Sequence, residues 1–355
     1  MKIIISLAIV VILALSLMAG CAEDERYEMF AAVLKKDKNE DFIIMNISDP
    51  QLISAQWNEN SSAYKSLKFT VDELVKKLEP DLITVSGDIM DAPESNDEIR
   101  FFAAFLDSYG IPWAPVWGNH DYNCGKDGGI AQLEANAEVL SEYENCLFEV
   151  GAVKNSSGNY IIGIEEKGQI VEAVFMMDCL DRGVCGTLGN AVTIPMLYEQ
   201  ETLPHLDWYS ESIAVLKELG CTDSTLITHI PLNCYSDAIE AAYKNPKCTL
   251  EESYTAEPWN EGYEDSFGVW NEGPTGISFD DLFFEEIKEN GTHTKHVLTG
   301  HDHYNNFSIN YEGIQLTYAM KTGPGASYIN ELRGCTVIKV GSEGVSELYH
   351  EYHHW

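Results

Sequence analysis

In the stretch DLITVSGDIMD, residues 81 to 91, an unbroken apolar and β-branched run stops at a glycine and is followed at once by an aspartate, Asp88. A short apolar run bounded by a turn signal reads as a strand buried on both faces, and such strands belong to parallel sheets. Upstream lie the helix-period pattern YKSLKFTVDELVKKLE (64–79) and a further buried run, DFIIMNIS (41–48). Downstream, EIRFFAAFLDSYG (98–110) has helical spacing and ends on a glycine suited to a helix C-terminus, and IPWAPVWG (111–118) returns to strand. Hydrophobic strands alternating with helices imply parallel pairing through helical crossovers, an α/β fold.

The aspartate after the glycine is one of a series. Asp49 and Gln51 follow the first strand in SDPQ, Asp88 the second, and Asn119 and His120 the third in GNHD. His229 lies near the end of LITHIP, and His301 and His303 follow LTG in GHDH. Five strands each deliver a candidate metal ligand at or just beyond their C-terminal ends, the edge at which open α/β sheets bind ligands. Carboxylate and imidazole suit Zn, Mn or Fe, and two such ions can share an activated water and clamp a phosphate.

Elsewhere the pattern sets the frame. NYIIGIEE (159–166) and QIVEAVFMMD (169–178) read as an antiparallel pair, LDWYSESIAVLKELG (206–220) as an amphipathic helix, and SFDDLFFEEIKENG (278–291) as a helix with Ser278 as N-cap. FSINYEG, IQLTYAMK and CTVIKV close the chain as strands. Residues 233–277 read as an irregular acidic insert whose aromatic part, 251–272, reads either as a flap over the pocket that sets substrate choice or as a solvated surface loop. Tyr122, Tyr304 and Asn305 flank the ligand motifs as candidate substrate contacts or turn residues.

The 355 residues carry 57 acidic and 22 basic side chains, a formal net charge of -35. Charge alone therefore disfavours binding to nucleic acid or to an anionic lipid surface, and a phosphorylated substrate needs its charge met locally, by metal cations. The N-terminal run MKIIISLAIVVILALSLMAGC reads as a secretory signal over 1–20, and LMAGC resembles a bacterial lipobox that would place lipid on Cys21. Residues 21–40 then read as a tether to a folded domain over 41–355, outside the cytoplasm on the membrane, or secreted if Cys21 carries no lipid. Eight further cysteines permit pairing in an oxidising compartment, with Cys179–Cys185 and Cys234–Cys248 as local candidates beside free buried thiols.

The ordered motifs DPQ, GDxxD, GNHD, THIP and GHDH resemble those of the calcineurin-like metallophosphoesterase superfamily, and EGP, GHDHYNNF and TYAMKTGPG resemble its purple-acid-phosphatase-like branch. The resemblance covers about residues 41 to 340 and implies a four-layer α/β/β/α sandwich, two mixed sheets flanked by helices, with a dinuclear metal centre. It assigns Asp49, Gln51, Asp88 and His303 to the first metal, and Asp88, Asn119, His229 and His301 to the second. It makes His120 the histidine that protonates or stabilises the leaving oxygen and Asp121 the carboxylate that orients it. The implied activity is hydrolysis of phosphomonoesters or phosphodiesters by a metal-bridging hydroxide. The alternative is a low-turnover, metal-dependent binding lipoprotein of the same fold. Two departures stand out: Gln51 replaces the usual histidine, and Asp91 stands where purple enzymes carry the iron-bound tyrosine, so a purple centre is not expected.

Overall fold

The computed structural model describes residues 27–37, 39–121, 130–151, 153, 157–178, 195–244, 258–275 and 281–353. The expected signal, Cys21, Tyr122, the stretch 251–257, Ser278 and the cysteines at 179, 185 and 248 lie outside them.

Two sheets carry the fold. The smaller has five strands in the order β14-β13-β2-β4-β6, with β2 (Phe42–Ile47), β4 (Leu82–Ser86) and β6 (Trp113–Val116) parallel at one side and β13 (Gly334–Gly341) and β14 (Gly344–Tyr352) antiparallel at the other. The larger runs β1-β7-β8-β9-β10-β12-β11, from β1 (Ala32–Lys35), β7 (Tyr160–Glu166), β8 (Gln169–Met176), β9 (Ser224–Ile227), β10 (Thr294–Thr299), β11 (Ser308–Tyr311) and β12 (Ile314–Tyr318). β8, β9, β10 and β12 run parallel, and β7–β8 and β11–β12 are antiparallel hairpins. A two-stranded ribbon pairs β3 (Leu52–Ile53) with β5 (Met90–Asp91).

Three apolar layers place these sheets. Ile44, Leu82, Ala114 and Val116 of the smaller sheet meet Ile162, Val174, Met176, Ile227 and Leu298 of the larger one, so the sheets stack face to face. On the outer face of the smaller sheet pack α1 (Ser62–Leu78), α2 (Asp97–Asp107) and α3 (Ile130–Leu140), through residues such as Leu67, Val71, Phe102 and Leu133. On the outer face of the larger sheet pack α4 (Pro195–Glu218), α5 (Cys234–Ala242) and α6 (Asp281–Glu289), through Tyr209, Ile213, Tyr235, Phe283 and Ile287. The result is the expected α/β/β/α sandwich. Strands enclosed on both faces explain the continuous apolar runs, since each fully buried Ile, Leu or Val contributes about 1.5–3 kcal/mol.

The helices follow local rules. Ser61 caps α1 by accepting from the Tyr64 N–H, and buried Tyr64, Leu67, Val71 and Leu74 form its core stripe. The chain leaves α1 through Glu79 in the left-handed region, φ 47°.

Two boundaries differ from expectation. Ala32–Lys35, inside the expected tether, is the edge strand β1, paired in parallel with Ile162–Glu165. Its AVLK is too short to show a period in a charged neighbourhood. Residues 234–242, inside the expected irregular insert, form α5, whose Tyr235, Ala238, Ile239 and Ala242 are buried on the larger sheet. The described part of the aromatic segment also packs inward: Trp259 and Trp270 set their rings edge-on against Tyr243 at 5.2 and 5.7 Å.

Candidate metal centre

The site lies where the two sheets meet at their C-terminal strand edges. β2, β4 and β6 bring Asp49, Asp88 and Asn119–His120 from the smaller sheet, and the segments after β9 and β10 bring His229, His301 and His303 from the larger. Backbone bonds lock the loops together: Asp49 N–H donates to Gly87 C=O at 3.2 Å, Gln51 N–H to Asp88 C=O at 2.9 Å, and Gly300 N–H to His229 C=O at 2.9 Å. Gly118 and Gly300 have no room for a side chain, because a Cβ would run into the Asp88 carboxylate in the first case and into Ser48 and Asp49 in the second. Asp49, Gln51, Asp88 and His301 all hold positive φ, at 49°, 46°, 48° and 76°. Non-glycine residues in that region are strained, and such strain concentrates at functional sites.

Two groups of ligand atoms share Asp88. Asp88, His229 and His301 form one and Asp49, Asp88 and His303 the other, and within each group the ligand atoms lie within 4.8 Å of one another. Asn119 completes the group of Asp88, His229 and His301, its Oδ1 standing 3.1 Å from His229 Nε2 and 3.0 Å from His301 Nδ1. His229 Nδ1 donates to the Ser86 carbonyl at 2.8 Å, which leaves Nε2 pointing at Asp88 Oδ1, 3.2 Å away. A carbonyl on the far nitrogen is the arrangement that fixes a ligating histidine.

The donor chemistry fits cations. Asp49 Oδ1 is buried without a hydrogen-bond partner and lies 3.3 Å from His303 Nε2. Burial opposes charge on His229, yet the Asp88 and Asp49 carboxylates outweigh it and lift the ring to about 10. Burial likewise pulls Asp49 and Asp88 upward, but the surrounding histidines hold both below the ordinary carboxylate range. Buried carboxylates and imidazole nitrogens converging on one space are a donor set suited to cations.

Gln51 also reaches the site, but its Nε2 donates to Asp88 Oδ2 at 3.2 Å while its Oε1 accepts from Lys321 Nζ at 3.2 Å. Lys321 is a site residue that the sequence reading missed. It lies in the TYAMKTGPG segment beyond β12, where a lysine among turn residues ordinarily reads as solvated.

The group expected to orient His120 is corrected. Asp121 Oδ1 accepts from Met90 N–H at 2.8 Å and Oδ2 from Gly118 N–H at 2.7 Å, so both its oxygens tie backbone. Asp91 takes the orienting role: its Oδ1 lies 2.9 Å from His120 Nδ1. That hydrogen bond, with the charges of Asp88 and Asp91 added, raises His120 to about 9 despite its burial. Asp91 is the last aspartate of GDxxD, so a signal for it was present in the motif. Asn305, a candidate substrate contact, is buried and accepts from Asn271 N–H and Glu272 N–H at 3.0 and 3.1 Å, which latches residues 271–272 to the histidine loop.

Fold and site together define a class: an α/β/β/α sandwich with two candidate metal-ligand groups that share one carboxylate at the junction of its sheets. The calcineurin-like phosphoesterase family model matches residues 42–311, and the chain belongs to that family. Among curated relatives, an uncharacterized protein of Schizosaccharomyces pombe is 28% identical over 182 residues, which are 50% of this chain and 32% of that protein. A protein of Arabidopsis thaliana described as a probable inactive purple acid phosphatase is 24% identical over 265 residues, 69% of this chain and 59% of the relative. The matches thus span about a third and three-fifths of the lengths of these relatives. Among solved structures, GAP50 of Plasmodium, described as the anchor in the inner membrane complex, superposes with a TM-score of 0.47 at 10% identity, covering 88% of this chain and 84% of that one.

Proposed function

We propose that the protein is a metal-dependent phosphoesterase that hydrolyses phosphomonoesters or phosphodiesters of small molecules. The observation that carries this reading is the pair of ligand groups sharing Asp88, drawn from both sheets. Asp88, Asn119, His229 and His301 would hold one cation, and Asp49, Asp88 and His303 the other. Zn, Mn or Fe bound there would lower the pKa of a shared water and neutralise phosphate charge. His120, with Nδ1 held by Asp91, keeps Nε2 as the nitrogen that passes a proton to the leaving oxygen. The formal net charge of -35 supports a design in which phosphate is received at the bound cations rather than by a basic surface.

The test is a panel of nucleotides, sugar phosphates, lipid phosphates and artificial diesters assayed with chelated protein and with protein reloaded with Mn, Zn or Fe. Phosphate release that depends on reloading supports the reading. Full activity in metal-free protein overturns it.

A second reading is a low-turnover, metal-dependent binding protein. It is favoured by the relative described as probably inactive and by the orientation of Gln51. Metal uptake without turnover on any panel member would select it. For location, the N-terminal run and Cys21 support a place outside the cytoplasm, anchored to the membrane by lipid. Among the described residues no helix is long and apolar enough to cross a membrane.

A further inference from the structure

The two amides at the centre face opposite ways. Asn119 directs its Oδ1 toward His229 and His301. Gln51 directs its nitrogen toward Asp88 and gives its oxygen to Lys321. The choice at Gln51 does not rest on distinguishing O from N by shape. An ammonium only donates and an ionised carboxylate only accepts, so a reversed amide would set NH₂ against NH₃⁺ and C=O against COO⁻.

Lys321 is itself fixed. Its side chain is buried, its Nζ also donates to the Asp49 carbonyl at 2.9 Å, and its backbone runs beside Ser48, where Thr322 N–H donates to Ser48 C=O at 2.8 Å. Gly334 N–H closes on the Lys321 carbonyl at 3.2 Å from the other side. The ammonium is therefore enclosed with two acceptors, the Asp49 carbonyl and Gln51 Oε1, on a backbone pinned from both sides.

We infer that Lys321 is a positioning residue that converts Gln51 from a metal ligand into a hydrogen-bond donor to Asp88, so that the cation position of Asp49, Asp88 and His303 loads only after that of Asp88, Asn119, His229 and His301. A glutamine ligates through Oε1, and here Oε1 is held by Lys321. The first position thus has one ligand fewer and a fixed positive charge nearby, while the second keeps its amide oxygen inward. This rests on the proposed reading of the site as a metal centre.

The experiment is a Mn²⁺ titration of the full chain followed by electron paramagnetic resonance, which separates a lone ion from a spin-coupled pair. Wild type should show a lone-ion signal first, with the coupled pair appearing at Mn²⁺ concentrations at least about tenfold higher. The decisive measurement is a double-mutant cycle. Gln51→Leu should leave the second loading step within about threefold of wild type, Lys321→Met should strengthen that step, and Gln51→Leu in the Lys321→Met background should remove the gain. A more than tenfold loss of the second step from Gln51→Leu alone would mean that Gln51 already ligates, and overturns the inference. Gln51→Met, which keeps length and apolar packing, repeats the test should the leucine variant fail to fold. Wild type that takes up no Mn²⁺ overturns the metal reading itself; wild type that loads both ions in one step overturns only the order proposed here.

Discussion

His120 and Asp91 form a hydrogen-bonded pair, Nδ1 to Oδ1 at 2.9 Å, while the neighbouring Asp121 turns away to hold two backbone amides. The two aspartates therefore separate function from scaffold. His120→Asn should lower kcat on an aryl phosphate by about 10²–10⁴-fold, the range of general acid–base catalysis, and Asp91→Asn should cost less because the ring remains in place. Asp121→Ala should instead lower stability, since each of two buried N–H groups left unpaired costs about 1–3 kcal/mol. Steady-state kinetics beside urea unfolding of the three variants checks the division.

Asp88 belongs to both ligand groups. Asp88→Asn should therefore weaken both cation positions together, whereas His303→Ala should leave the position of His229 and His301 filled. Elemental analysis after dialysis against limiting Mn²⁺ should give about no ions and about one ion per chain respectively. Chelation of wild type should also lower its melting temperature, because a ligand present at 100 times its Kd stabilises the native state by about 2.7 kcal/mol.

Glu172 lies buried inside the larger sheet, with Oε1 accepting from Thr225 Oγ1 at 2.9 Å. Burial, with the Asp223 charge adding, raises its pKa from 4.5 to about 8. The native state then keeps a proton that the unfolded chain releases, so stability falls as pH rises from about 4.5 to about 8 and is flat above. Glu172→Gln should lose that part of the slope and gain on wild type at alkaline pH. Urea midpoints of both proteins across pH 5–9 measure the difference, and parallel curves would show that Glu172 carries none of it.

If Cys21 carries the proposed lipid, wild type should partition with membranes and enter the detergent phase, and Cys21→Ser should move the protein to the aqueous phase. Phase separation followed by mass spectrometry of the N-terminal peptide reads this directly.

The layered fold was legible because strands such as LITVS and FIIMN are enclosed on both faces and so write themselves as apolar runs. The ligands were legible because the chain turns immediately after each run. What stayed hidden depends on contacts far apart in sequence. AVLK becomes β1 only because Ile162–Glu165 offers an edge, and α5 is nine residues, CYSDAIEAA, too few turns for its period to stand out. The choice of Asp91 over Asp121 as the partner of His120 turns on which carboxylate the ribbon of β3 and β5 leaves unengaged. Lys321 is 270 residues from Gln51, and no local pattern marks it.

The left-handed backbone at Asp49, Gln51, Asp88 and His301 narrows which amino acids can replace them during divergence. Asparagine and aspartate tolerate that conformation, and β-branched residues do not. Single-step drift from Asp49 or Asp88 to asparagine is thus open to the backbone while it removes a charge from the centre. A lineage can lose metal affinity this way while keeping the fold intact, and the preserved sandwich by itself would give no sign that turnover had been lost.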